Sequence, residues 1–146
     1  MSLSMISKGL SGFLGLFFCF TAVSLTGSVV GIQTPLSDGM QTLFSSGVWG
    51  AIFMYTVGII EFVLGFGMLG YVFDVTSLQL AQWCASIATF IMFNATAAHV
   101  SSGDTSDKVA FSGAFCILFA TLNFLIAKTR GNMPKGDYED MDQDIA

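Results

Sequence analysis

Apolar residues run along this chain in four long blocks, and polar residues are confined to the short stretches between and after them. Crossing the hydrocarbon core of a bilayer as a helix takes about 20 consecutive apolar residues. Blocks 9–32, 47–73, 75–100 and 109–127 each reach that length. The first and last contain no charge, the second contains only Glu61, and the third carries Gln79, Gln82, Asn94 and His99. The pattern predicts an all-α fold, an integral membrane four-helix bundle, with the lipid bilayer as its first partner. The blocks are separated by punctuation. Asp74 marks a short turn between the second and third, and Ser101 to Lys108 reads as a polar loop between the third and fourth. The longer connection after the first block opens with Thr34 and Pro35, a capping residue followed by proline at a first helical position. Leu36, Met40, Leu43 and Phe44 then recur at helical spacing, so a short interfacial helix, or else an ordered loop, is expected there. The first block also resembles a signal-peptide core, with Lys8 before it, but it is longer than such cores run and is expected to stay as a membrane helix.

Within each block a strip of small residues recurs at spacings of three and four. The strips are Gly12, Gly15, Cys19, Ala22 and Thr26 in the first, and Gly47, Ala51, Met54, Gly58, Glu61, Gly65 and Met68 in the second. In the third they are Ala81, Ala85, Ala88, Met92, Ala95 and His99, and in the fourth Ala110, Gly113, Ile117, Ala120, Phe124 and Ala127. Lipid tails are as apolar as leucine, so helices in a membrane associate through close backbone approach rather than hydrophobicity. Alternating 3-4 spacing favours left-handed crossings of roughly 20°. Phe13, Phe17, Phe18 and Phe20 are then expected to face lipid.

Composition sharpens this picture. Only 10% of the 146 residues are charged, against about a quarter in soluble domains. Half of the ten acids, Asp137, Glu139, Asp140, Asp142 and Asp144, stand in the last ten residues. Residues 1–130 therefore read as the bundle and 131–146 as an acidic tail suited to docking on a basic partner surface. No basic patch exists to hold nucleic acid. Four of the five cations, Lys8, Lys128, Arg130 and Lys135, flank the two termini, which predicts both termini on the cytoplasmic side or its organellar equivalent. Cys19, Cys84 and Cys116 lie in separate apolar blocks without CxxC spacing and read as buried thiols.

Few residues carry chemistry. Glu61 stands near the middle of the second block, where a carboxylate costs about 2.5–3.5 kcal/mol to insert. It must face the bundle, where its neutral form is favoured. It reads either as a proton-handling or ligand-contacting group or as structural glue between helices. His99, at the end of the third strip, is a candidate ligand to a metal or a tetrapyrrole or a pH-sensitive group, or else a locally bonded helix end. Counted from the Asp74 turn, the two stand about three helical turns apart in level, so direct contact between them is not expected. Asn94 and Asn123 are each expected to bond between helices, and the Asn94-Ala95-Thr96 sequon is inaccessible within a span. No metal-ligand spacing, phosphate loop or nucleophile elbow appears, so an enzyme acting alone is not expected.

Gly58-Ile59-Ile60-Glu61-Phe62-Val63-Leu64-Gly65, followed by a third helix ending at His99, resembles the DoxX-like membrane proteins over roughly residues 47–130. The resemblance implies a four-helix fold with an interfacial piece after the first helix. It also implies roles ranging from small subunits linked to quinone or thiosulfate oxidation to helpers of receptor assembly. Ser24-Leu25-Thr26-Gly27-Ser28 stands where such proteins commonly carry a lysine, which removes one polar contact between the first two helices. Three functions follow as expectations. The first is a non-catalytic small subunit or assembly partner of a larger, redox-linked membrane complex, with other integral membrane subunits as partners. The second is a pigment- or haem-associated accessory subunit. The third is a small proton-coupled transporter organised around Glu61. A lipid, a quinone or a tetrapyrrole would each suit such a bundle as cofactor, and the sequence does not choose among them.

Overall fold

The computed structural model describes residues 2–29 and 48–132. They form four helices, α1 (Leu3–Val29), α2 (Val48–Val72), α3 (Leu78–Ser101) and α4 (Ser106–Gly131), with no strand among the described residues. All four are long and apolar enough to cross a membrane, as an all-α, multi-pass bundle requires. At 24 to 27 residues each, they rise about 1.5 Å per residue and outreach the roughly 30 Å hydrocarbon core, so their ends reach the interfaces.

The predicted spans and the observed helices agree in number and order. The differences lie at the ends. Helix α1 begins at Leu3, six residues before the charge-free block, and so carries Lys8 within it. Helix α4 begins at Ser106, so Asp107 and Lys108 belong to its first turn and not to the loop before it. An acid in a first turn is favoured by the helix dipole, as are Lys128 and Arg130 in the last turn of α4. The expected interfacial helix, the Gly47 end of the second strip and the acidic tail lie outside the described residues.

Two turns share one chemistry. Helix α2 ends with Asp74 in the left-handed region (φ 57°), its N–H bonded to the Tyr71 carbonyl, while the Val75 N–H bonds to that of Gly70. Helix α3 ends with Gly103 at φ 68°, its N–H bonded to the Val100 carbonyl, and the Asp104 N–H bonds back to His99. Each pair of bonds satisfies carbonyls that the helix end leaves open. Lys8 of α1 forms an ion pair with Asp74. Ser77 caps α3 by accepting a bond from the Leu80 N–H at 3.1 Å.

The helices pack as two close pairs, α1 with α2 and α3 with α4, with lighter contacts between the pairs. Gly15 and Gly65 let α1 and α2 approach most closely. A Cβ on Gly65 would lie 2.8 Å from the Gly15 carbonyl and from the Cys19 sulfur. The Ser11 hydroxyl donates across this seam to the Met68 carbonyl at 2.9 Å, and Ser7 bonds the Tyr71 hydroxyl at 2.9 Å. Leu14, Phe18, Met68, Ala85, Ala88, Phe119, Leu122 and Ile126 fill the centre.

Three expected faces hold, and one is corrected. The strips of α1, α2 and α3 turn inward, but Ala110, Ile117, Ala120, Phe124 and Ala127 of α4 face outward. The buried face of α4 is instead Ser112, Phe119, Leu122, Ile126 and Thr129. Phe17 and Phe18 also depart from expectation. Phe18 is fully buried against Phe119 (centroids 4.6 Å apart), and Phe17 stacks on Phe115 (3.8 Å), so only Phe13 and Phe20 are left exposed. Aromatic rings bridge α1 to α4 where small residues join α1 to α2. Bulky rings hold the first contact wider than glycines hold the second.

Candidate functional site

Residues Met54, Gly58, Glu61, Leu64, Gly65 and Met68 of α2 are all buried, and their spacing of three and four puts them on one face. That face meets the bundle interior, so Glu61 is carried inward, as the cost of exposing it to lipid requires. It is 6% exposed. Its Oε2 atom is buried and has no hydrogen-bond partner among the described residues. Thr21 of α1 approaches the carboxyl, but the Thr21 hydroxyl proton is already donated to the Phe18 carbonyl at 3.0 Å. The single Thr21 proton cannot serve the Phe18 carbonyl and the carboxyl at once.

Glu61 does not face a filled core. Beside it, where the two helix pairs part, lies a cavity of about 380 Å³. Thr21 and Glu61 line its deep end. Phe17, Leu25, Val57, Ile91, Met92 and Ala95 form the walls, and His99, Asp107, Lys108, Phe111 and Ser112 stand toward the ends of α3 and α4. Glu61 and His99 do not form a pair, as their levels along the helices foretold. They nevertheless line one cavity, which linear counting could not reveal.

The polar end is held by the turn after α3. Because the Asp104 N–H bonds back to the His99 carbonyl, the Asp104 side chain folds over the histidine. Its Oδ2 lies 2.8 Å from His99 Nδ1. Lys108, one turn into α4, places its Nζ 3.6 Å from the other Asp104 oxygen. The hydrogen bond with His99 is the main cause holding the Asp104 carboxyl below the usual carboxylate range, with the Lys108 charge adding to it. Engaging Nδ1 fixes the imidazole ring and leaves Nε2 as its other ligating atom, the arrangement by which a carboxylate orients a histidine ligand. Among the described residues no three His, Cys, Asp or Glu side chains come together as a metal site.

The other polar candidates lie apart from this cavity. Asn94 was expected to bond between helices. It is exposed on α3, and its amide donates to the Phe90 carbonyl of its own helix at 2.7 Å. Asn123 is half-buried on α4 and makes no hydrogen bond to a described residue. Gln79 and Gln82 face a separate polar recess of about 230 Å³ at the opposite end of α3, with Trp83, Ser86 and Arg130. Cys19, Cys84 and Cys116 are free thiols. Asp137, Glu139, Asp140, Asp142 and Asp144 lie outside the described residues.

Several lining residues carried no signal of their own in the sequence. Phe17, Thr21 and Leu25 recur every four residues along α1, beside the small-residue strip, and that spacing was the only clue to a second inward face. Lys108 and Phe111 became visible once α4 was seen to begin before them. No family model matches this chain, and neither a curated protein nor a solved structure matches it.

Proposed function

We propose that this chain is a non-catalytic, DoxX-like membrane subunit whose bundle holds a lipophilic small molecule within a larger membrane assembly. The observation that carries the reading is the apolar cavity lined by Glu61, whose Oε2 has no hydrogen-bond partner among the described residues. A buried polar atom left without a partner costs roughly 1–3 kcal/mol. Binding sites commonly combine apolar walls with a few polar groups that fix a ligand's orientation. The cavity is too apolar for a water-filled path, with a single acid at depth. Exposed Asn94 on α3 favours the assembly part of the reading, because an amide facing lipid gains when a neighbouring helix offers it a second bond. Native mass spectrometry of the full chain, purified in mild detergent from the membrane where it is made, tests both parts. The expected spectrum shows one small molecule per chain and at least one further membrane polypeptide. A bare chain flying alone would rule the reading out.

One observation favours a second reading, that of a pigment- or haem-associated accessory subunit. His99 is buried, lines the cavity, and is oriented through Nδ1 by Asp104. A tetrapyrrole would bring its own metal and need only Nε2 as an axial ligand. The visible absorption spectrum decides: a band that disappears in His99→Ala supports this reading, and a colourless preparation removes it.

A further inference from the structure

We infer that the molecule held beside Glu61 is a lipophilic amine, its nitrogen at the carboxyl and its hydrocarbon body between α1, α3 and the start of α4. This rests on the reading of the cavity as a lipophile site and names the chemistry of its occupant.

The first ground is the orphaned acceptor. Glu61 lines the cavity, and its buried Oε2 finds no donor among the described residues. Thr21 does not bond Oε2, and the Phe18 carbonyl competes for its one proton. The occupant must therefore bring a donor to the deep end. A molecule that enters tail first would lay hydrocarbon against that oxygen and leave it unpaired, so the polar group leads.

The second ground is charge. Among the described residues, Lys8 is paired with Asp74 at the far end of the bundle, and Lys108 stands beside Asp104 at the mouth. Lys128 and Arg130 close the distant end of α4. None forms an ion pair with Glu61. A hydroxyl would satisfy the donor requirement alone. An amine satisfies it and also supplies the missing counter-charge, and charge-assisted hydrogen bonds are roughly twice as strong as neutral ones. Amine and carboxyl together are neutral wherever their shared proton sits, which a low-dielectric site requires. An acidic amphiphile would set two carboxyls side by side, and a ketone or ether could only accept from the protonated acid and would bring no counter-charge.

The third ground is shape. Phe17, Leu25, Ile91 and Phe111 give walls without a hydrogen-bonding side chain between the deep end and the mouth, which suits a compact apolar body with a single polar atom.

Saturation binding of tritiated 1-adamantylamine to the full chain in lipid nanodiscs tests the inference. Its competitor is 1-adamantanol, the same cage with a neutral hydroxyl. The expected result is saturable binding at one site per chain, at least tenfold weaker in Glu61→Gln, with the alcohol competing at least tenfold less well than unlabelled amine. Ala95→Phe keeps the acid and fills the cavity. It is expected to lose binding while its circular dichroism and gel-filtration profile match the parent, and it keeps the test decisive should Glu61→Gln misfold. No saturable amine binding, unchanged affinity in Glu61→Gln, or binding that survives Ala95→Phe would overturn the inference. Equal competition by the alcohol would overturn the amine assignment while leaving the lipophile site standing.

Discussion

Glu61 is the residue on which this structure turns, and its environment sets stability against binding. An acid whose oxygen is buried without a donor destabilises the empty bundle, and an apolar residue of similar size removes that cost. Glu61→Leu should therefore stabilise the ligand-free protein by about 1–3 kcal/mol while abolishing amine binding. Denaturant titration of delipidated protein in a single detergent measures it, and a variant no more stable than its parent would mean the carboxyl is already satisfied. The sequence made Glu61 and His99 legible because charge and titratable groups are rare in apolar spans. It hid their relation, because a shared cavity is a property of gaps between helices and no residue type encodes a gap.

At the mouth, the Asp104 carboxyl is held low chiefly by its bond with His99 and then by Lys108. The linkage sign follows from that depression. The contact contributes fully above the ordinary aspartate value of about 3.9, and the contribution fades as pH falls through the lower folded value. The protection of the Asp104 amide, which is bonded to the His99 carbonyl, measured relative to its intrinsic exchange rate at each pH, should be high at neutral pH and fall under acid. Asp104→Asn should flatten that acid limb.

At the scale of helices, glycines are not equivalent. Gly65→Ala drives a methyl against the Gly15 backbone and Cys19, and such overpacking costs about 1–3 kcal/mol. A Cβ on Gly113 would meet only a Thr96 methyl at 3.8 Å, so Gly113→Ala should change stability by less than about 0.5 kcal/mol. Comparing the two unfolding midpoints checks whether α1–α2 is the seam that glycines close. The same contrast explains which helical faces could be read in advance. In α1, α2 and α3, the strips Gly15–Ala22, Gly58–Gly65 and Ala81–Ala88 coincide with the buried face. In α4, Ala110, Ala120 and Ala127 point outward, and Phe119 and Ile126 point in. Lipid and bundle interior are equally apolar, so hydropathy distinguishes neither a buried phenylalanine from an exposed one nor Phe18 from Phe20.

For the whole molecule, two close helix pairs meet across a lighter seam, and the cavity is lined from both. Its mouth stands at the α3–α4 turn, at the opposite end of the bundle from Lys8, Lys128 and Arg130. If basic residues mark the cytoplasmic side, a membrane-impermeant maleimide should label Ser102→Cys from the outside of intact cells, and a tag on the C-terminus should stay protected. On the reading proposed above, the cavity beside Glu61 holds a lipophile. Electron cryomicroscopy of the full chain, carried on a rigid binding fragment, tests it most directly. Non-protein density is expected to fill the space between Phe17, Ile91 and Phe111 and to come within hydrogen-bond distance of the Glu61 carboxyl. A cavity closed by its own side chains, with Glu61 bonded to a neighbouring helix, would contradict it.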